Sequence, residues 1–205
     1  MPRPFSEEEK KQIRSKLFAE GKELFIRFGL KKTGVAELTK AAGISQGAFY
    51  LFFDSKEELY FAILEQEEQV IRERFLKWFS EEDSMNRSRF REFLRLAIQV
   101  FEENPLLRRL WLEREIDDLL SRLPSSLMEQ HTARDTAVLE PLIKHWQDAG
   151  SMVQGAPEVI AGVIRALFLL PLHYREIGED LFPAVLERYI DLIAGGLIRE
   201  DHDDR

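Results

Sequence analysis

The sequence predicts an all-α protein in two parts, an N-terminal helical domain over residues 1–60 and a larger helical domain over residues 61–205. Apolar residues recur at spacings of three and four through most of the 205 residues, which is the period of an amphipathic helix. Glycine, proline or a short polar run separates these stretches, as expected at helix ends. An apolar content of 44% is enough to build a buried core.

The first helix is predicted over residues 6–29. Ser6 can cap it, and Glu9 stands three positions later as the partner of a capping box. Gly29 is predicted to end the helix. The apolar stripe that would face the core consists of Ile13, Leu17, Leu24, Phe25 and Phe28.

Two short helices separated by a tight turn follow within residues 33–59. Val35, Leu38 and Ala42 form the apolar stripe of a helix of about two turns. Gly43 comes directly after it, and glycine adopts the left-handed conformation that lets a chain reverse sharply. A short helix, a glycine turn and a second short helix predict a helix-turn-helix, whose second helix enters the major groove of DNA.

The second short helix is predicted over residues 46–53, with Ser45 as its cap. Its N-terminal end would face the bases of DNA, and the candidate contacts there are Ser45, Gln46, Gly47 and Ala48. The next helix, predicted to run to about residue 79, is capped by Ser55 with Glu58 as partner. Lys56 lies in its first turn, where a cation and free N–H groups predict contact with a phosphate.

Charge is distributed unevenly along the chain, whose net charge is -8. Residues 1–60 carry 11 Lys and Arg against 9 Asp and Glu, a balance of +2, and residues 61–205 carry 18 against 28, a balance of -10. Contact with phosphates needs local cations, not a basic protein throughout. The asymmetry is therefore compatible with a DNA-binding N-terminal domain, although acidic globular proteins are common.

Five further helices are predicted, over residues 87–104, 105–123, 125–148, 157–177 and 183–199. Pro141 is expected to kink or split the third of these. The fourth is apolar almost all round and must be covered on several sides. The fifth carries an apolar stripe beside small residues, which favours packing against another helix, either within the chain or in a dimer: Leu186, Ile190, Ile193 and Leu197, with Ala194, Gly195 and Gly196.

Residues 33–59, TGVAELTKAAGISQGAFYLFFDSKEEL, resemble the DNA-binding segment of the TetR-like (TetR/AcrR) transcriptional regulators. The matching positions are Ala42, Gly43, Ile44, Ser45, Gly47, Phe49, Tyr50, Phe53, Ser55, Lys56, Glu57 and Leu59. Leu51 and Phe52 depart from the family, in which at least one of these positions usually carries histidine or tyrosine. Gly34 stands where serine or threonine is common, so the contact expected there passes to Thr33. The resemblance also implies a phosphate contact from the hydroxyl of Tyr50.

The resemblance implies a ligand-responsive repressor that is released from a palindromic, double-stranded DNA operator by a small-molecule effector. It further implies a homodimer formed through the last two helices. An effector pocket would lie among the helices between about residues 60 and 176. Its candidate lining favours an apolar or aromatic effector, although for each member core packing is the favoured role: Trp78, Phe93, Trp111, Met128, His131, Trp146, Phe168 and His173.

Several other classes of protein are not expected. The chain has no cysteine and four scattered histidines, so we expect no metal site, and no cofactor or enzyme motif is recognisable. No apolar run approaches about 20 residues, the length that spans a bilayer, and the polar N-terminus does not resemble a signal peptide. We expect a cytoplasmic protein. Two alternatives are a helical small-molecule-binding protein whose N-terminal domain contacts a protein partner, and an enzyme that uses an internal cavity.

Overall fold

The computed structural model describes residues 5–79, 85–113 and 115–199, and for residues 74, 76–79, 111–113, 115, 117 and 118 it describes the backbone alone. Over these ranges the chain is helical, with one isolated antiparallel bridge between Met152 and Ile198. The predicted all-α fold is confirmed. The helices in chain order are α1 (Glu7–Lys32), α2 (Val35–Ala42), α3 (Gln46–Phe49), α4 (Lys56–Phe79), α5 (Arg87–Glu103), α6 (Pro105–Glu113), α7 (Glu115–Leu120), α8 (Ser125–Asp148), α9 (Pro157–Leu169), α10 (Tyr174–Ile177) and α11 (Phe182–Leu197), with a 3₁₀ turn, Leu170–His173, between α9 and α10.

The helices form two compact units. The first combines Met1–Glu73 with Asn104–Leu123, and the second combines Arg74–Glu103 with Pro124–Arg205. The division between them falls inside α4. The first unit, defined by packing, therefore extends beyond residue 60. That residues 1–60 form the DNA-binding domain stays a prediction.

The start of α1 follows its local sequence. The backbone N–H of Glu9 donates to the Ser6 hydroxyl at 3.2 Å, and the Glu9 carboxylate accepts from the Ser6 N–H at 2.7 Å. This is the predicted capping box. Near the other end, Gly29 has a φ of 80° and interrupts the helix, as predicted, but helical geometry resumes until Lys32. Phe28 is exposed, contrary to its predicted place in the buried stripe.

The core of the first unit lies between α1, α2, α3 and the first half of α4. The rings of Phe25 and Tyr60 meet edge to face, with centroids 4.8 Å apart. Fully buried side chains of this size each stabilise the fold by roughly 1.5–3 kcal/mol. The largest of those in this core are Leu17, Phe25, Leu38, Phe49, Leu59, Tyr60 and Ile63.

The core of the second unit lies between α5, α8, α9 and α11. Phe90 packs edge to face on Trp146, and Phe75 does so on Phe93. The apolar stripe predicted on the last helix faces this core within the same chain: Leu186, Ile190, Ile193 and Leu197 are all buried there. That stripe is therefore not available to a second copy of the chain.

Three regions after residue 104 differ from the helices predicted there. The region 105–123 holds two helices, α6 and α7. By contrast, α8 continues through Pro141 as one helix, so of the predicted alternatives, a kink or a split, the split is wrong. The predicted helix over residues 157–177 is interrupted after Leu169 by the 3₁₀ turn that contains Pro171, because proline lacks an N–H group and crowds the preceding turn.

The segment Pro157–Ile177 is long and apolar enough to cross a membrane by length and composition alone, with a mean hydropathy of 1.3. On this measure the expectation that no such run exists is wrong. Core helices of folded domains meet the same criterion, and α9 packs against α8 and α11 here. Within the segment, the most apolar window is only 28% buried, so part of its surface is uncovered in the single chain.

Candidate nucleic-acid interface

The turn between α2 and α3 is built as the sequence predicts. Gly43 has a φ of 73°, the left-handed conformation that favours glycine. Its N–H donates to the carbonyl of Lys40 at 3.3 Å, and the N–H of Ile44 donates to the carbonyl of Thr39 at 3.0 Å. These bonds occupy carbonyl groups that the end of α2 would otherwise leave unpaired. The result is a sharp reversal that presents α3 directly after α2.

Ser45 caps α3, as predicted. Its hydroxyl oxygen accepts the N–H of Ala48 at 3.2 Å, which satisfies one of the free donors of the first turn. Regular α-helix then extends only from Gln46 to Phe49. The N–H groups of Leu51 and Phe52 donate three residues back, at 3.1 Å and 2.9 Å, so the predicted helix continues as tighter 3₁₀-type turns.

One side of this short helix is exposed and the other is buried. Phe49 and Phe53 are buried in the core of the first unit, with Ala48 beside them at 9% exposure. Positions 46 and 50, and likewise 47 and 51, are four residues apart, so each pair lies one turn apart along the same side of the helix. These four positions are exposed, on the side opposite the core. We call the exposed residues the outer face of α3: Ser45, Gln46, Gly47, Tyr50 and Leu51.

Two residues predicted to contact DNA have buried side chains. Thr33 is 1% exposed, and its hydroxyl donates to the carbonyl of Gly29 at 2.8 Å. This bond closes the end of α1, next to the positive φ of Gly29. The expected DNA contact from the Thr33 side chain is therefore replaced by a structural role. The methyl group of Ala48 likewise belongs to the core.

Lys56 is oriented towards the protein. Its ammonium nitrogen lies 2.6 Å from the carbonyl oxygen of Leu30 and 2.8 Å from that of Thr33. Two of its three N–H donors thus join the first turn of α4 to the last turn of α1 and to the residue that follows α1. Sequence reasoning missed this role because the two partners are backbone carbonyls 26 and 23 residues away. One N–H donor remains for the phosphate contact predicted for Lys56, which stays a prediction.

The first turn of α4 is held by a second set of bonds. The N–H of Glu58 donates to the Ser55 hydroxyl at 3.1 Å, as the predicted cap requires. The Glu58 carboxylate accepts from the N–H of Asp54 at 3.0 Å, one residue earlier than the predicted box.

Lys32 and Lys40, in the last turns of α1 and α2, are exposed. They leave cations at the surface of this unit.

The residues predicted to line an effector pocket do not share one environment. Phe93 and Trp146 each contact Phe90 in the core of the second unit, and the Phe168 ring packs at a tilt against Phe101 with centroids 5.1 Å apart. Of the remaining candidates, Met128 and His131 are half-buried and His173 is exposed. The side chains of Trp78 and Trp111 lie outside the described part of the structure.

A polar cluster on α8 and α9 was missed by sequence reasoning. Arg165 donates to the Thr136 hydroxyl at 2.7 Å, and its Nε lies 4.0 Å from a carboxylate oxygen of Asp135. The same oxygen lies 3.6 Å from Nε2 of His131. Its members stand on two consecutive helices, but Arg165 and Thr136 lie 29 residues apart, so no local pattern reveals the cluster. It surrounds the predicted candidate His131 with charged and polar groups.

A surface groove of about 510 Å³ lies on the first unit, between α1 and α4. It contains none of the predicted effector-contact residues. Its lining consists of Lys11, Arg14, Ser15, Phe18, Ala19, Lys22, Ile63, Gln66 and Glu67. Within the described ranges, no three His, Asp or Glu side chains come together in a way that could hold a metal ion.

Comparison with known proteins assigns the segment that contains α2 and α3 to a family. The profile of the family described as "Bacterial regulatory proteins, tetR family" matches residues 17–63, which run from within α1 to within α4. Over residues 17–63 the chain belongs to the TetR family. The matched stretch includes every residue predicted to contact DNA.

Relatives of this TetR-family chain support the assignment. It is 31% identical over 113 residues to the nucleoid occlusion factor SlmA of Vibrio cholerae, a match that covers 49% of the chain and 57% of that protein. It is 26% identical over 150 residues to the HTH-type transcriptional regulator RutR of Escherichia coli, which covers 69% of the chain and 65% of RutR. The chain thus spans less than two thirds of either relative.

Solved structures show that the similarity in fold extends beyond the matched region. The crystal structure of reduced NemR from Escherichia coli is 25% identical and superimposes with a TM-score of 0.62, covering 90% of this chain and 97% of NemR. The helical C-terminal part therefore belongs to the same fold. The predicted TetR-like family and fold are both confirmed.

Proposed function

We propose that this chain is a ligand-responsive repressor that binds a palindromic DNA operator through the outer face of α3. The observation that carries the proposal is that α3 has one side buried in the core of the first unit and one side exposed. The exposed side is the outer face, which combines polar side chains with the apolar side chain of Leu51. A helix held in this way can enter a major groove without unfolding its own core.

Gln46 is the proposed base-reading residue. It is exposed in the first turn of α3, and a glutamine amide can both donate to and accept from the major-groove edge of adenine. Ser45 and Tyr50 contribute hydroxyl groups to phosphates, a contact that positions the protein on the duplex. The Ser45 hydroxyl uses its oxygen to cap α3, which leaves its proton free to donate.

Gly47 supports close approach to the duplex. A Cβ atom added at this position would meet nothing within 4 Å, so the protein's own packing does not require glycine there. Glycine inside a helix costs roughly 0.5–1 kcal/mol relative to alanine. A contact with DNA accounts for the glycine at this position, because a backbone without a side chain can come nearer to a phosphate or a base.

A homodimer formed through α9 and α11 completes the proposal. The stripe predicted for this contact is buried within the chain, but a different set of apolar side chains is exposed. Val159 and Leu192 are each 63% exposed. Val163, on α9, and Tyr189, on α11, lie one helical turn from them and are also partly exposed. Two-fold pairing of α9 and α11 would bury both sets in a four-helix bundle. The two α3 helices would then reach half-sites about 34–36 Å apart.

The second unit is the proposed effector sensor. The effector would be a small, largely apolar molecule that binds more tightly when the spacing of the two α3 helices does not fit DNA. It would lower operator affinity by the ratio of its affinities for the two arrangements. Such coupling is reciprocal and typically amounts to about 1–3 kcal/mol. The cluster of His131, Asp135 and Arg165 offers this effector a polar anchor. The proposal places the protein in the cytoplasm, with the operator, and assigns it no catalytic activity.

A protein partner at the outer face of α3 is the competing proposal, and the exposure of Leu51 favours it. The competing proposal predicts that the purified chain enriches no duplex from a random pool. Ours predicts enrichment of an inverted repeat, and addition of cell extract containing the effector should reduce retention. An enzymatic role predicts turnover of a compound from the same extract. Selection with the full-length purified chain therefore separates these possibilities.

A further inference from the structure

Leu51 has the most exposed large apolar side chain among the residues that the structure describes, at 72%. Its surroundings hold it firmly in place. The Leu51 N–H donates to the carbonyl of Ala48 at 3.1 Å. On the following residue, the Phe52 ring contacts Phe5 with centroids 6.3 Å apart, and Phe53 is buried. The exposed isobutyl group is thus presented from an anchored backbone, not from a loose loop.

Leu51 shares the outer face of α3 with the proposed base-reading residue. It lies four residues after Gly47, one turn further along the exposed side. Because Gly47 has no side chain and an open space around it, nothing stands between Leu51 and a surface that approaches this face. A leucine side chain can neither donate nor accept a hydrogen bond, so its partner there must offer an apolar surface.

In the major groove, the apolar group on a base edge is the C5-methyl of thymine. We propose that Leu51 is a specificity-determining residue that contacts a thymine methyl group in each half-site of the operator. The inference rests on the proposed function, since it assumes that the outer face of α3 meets DNA. It adds a preference for thymine over cytosine at one position, which the polar contact from Gln46 does not supply.

The test uses the duplex that the purified full-length chain selects from a random pool. Each thymine of the half-site is replaced in turn by deoxyuridine, in both half-sites at once, which removes the methyl group and leaves the hydrogen-bonding groups unchanged. Burial of one such group is worth roughly a fourfold change in affinity. We therefore expect a loss of about fifteenfold at one symmetric pair of positions and little change elsewhere.

The Leu51→Ala variant should bind the thymine and uracil duplexes equally at that position, whereas Leu51→Met should keep most of the preference. Val70→Ala is the matched control, because Val70 is also an exposed apolar residue of the first unit, at 54%. It should retain the full preference. The inference is overturned if no thymine position is sensitive, or if Leu51→Ala keeps the sensitivity. If no duplex is enriched at all, the proposed function fails and the inference fails with it.

Discussion

The ammonium nitrogen of Lys56 and the carbonyl oxygen of Leu30 lie 2.6 Å apart. With the second bond, to the carbonyl of Thr33 at 2.8 Å, this contact ties the start of α4 to the chain that enters α2. A cation in the first turn of a helix is unfavourably placed with respect to the helix dipole. Its two carbonyl partners offset this cost and fix the direction from which α2 and α3 leave α1.

Replacing Lys56 with methionine should destabilise the first unit, because hydrogen bonds to charged groups contribute about 1.5–3 kcal/mol each. DNA affinity should fall for all sequences alike, with little change in its dependence on salt. A lysine that contacted a phosphate would instead reduce the slope of log affinity against log salt by about one. Chemical denaturation and binding at several salt concentrations measure the two effects.

Lys40→Met is the matched control for this experiment, because Lys40 is exposed in the last turn of α2. It should leave stability nearly unchanged. A Lys56→Met variant with normal stability and a reduced salt slope would contradict the bridging role and restore the phosphate contact.

Replacing Gln46 with alanine should relax base preference at one position of each half-site. A well-placed side-chain contact to a base discriminates by about 1–3 kcal/mol, so the selected sequence should become degenerate there while non-specific binding persists. Gln130→Ala, an exposed glutamine on α8, should leave the selected operator unchanged. If Gln46→Ala and the parent chain select the same operator, the base-reading role is wrong.

Replacing Leu192 with glutamate should convert the proposed dimer into monomers, because an unpaired carboxylate in an apolar interface carries a high desolvation cost. Sedimentation velocity would show the change in mass, and affinity for the full palindrome should fall towards that for a half-site. Val70→Glu places the same charge on a similarly exposed residue of the other unit and should remain dimeric. A dimeric Leu192→Glu variant would mean that the chains pair elsewhere.

Acidification should loosen the start of α1. The Ser6 backbone N–H, and secondly its hydroxyl, lower the pKa of Glu9 below its ordinary value. The ionised form is thus favoured in the folded chain. Its stabilising effect is present above the pKa of Glu9 in the unfolded chain and is lost as the pH falls through the lowered folded-state pKa. Amide exchange at Lys10, whose N–H donates to the Ser6 carbonyl, should accelerate over this range. A Glu9→Gln variant has no group to titrate there, so an identical acceleration in that variant would rule out Glu9 as the cause.

Sequence reasoning succeeded where the cause of a structure is local. The caps at Ser6 and Ser45 and the left-handed turn at Gly43 depend on residues no more than four positions away, and all three are present. The buried side of the last helix also followed from its apolar period, as Ile190 and Ile193 show. These features place α3 and leave its outer face exposed.

Sequence reasoning failed where partners are distant in the chain. Lys56 looks like a free cation until the carbonyls of Leu30 and Thr33 are brought to it. The apolar period of α11 could not reveal that Leu186 packs within its own chain and that the opposite side, with Leu192, is uncovered. The sequence could not separate pocket from core for the predicted effector residues, because an aromatic side chain such as Trp146 fits either environment, and their role as effector contacts stays a prediction.

The most direct test of the central claim is selection of duplexes from a random pool by the purified chain, followed by sequencing. The account predicts enrichment of an inverted repeat whose half-sites are separated by about one helical turn, and loss of preference at one position in the Gln46→Ala variant. A pool that remains random after repeated rounds with folded, dimeric protein would contradict it.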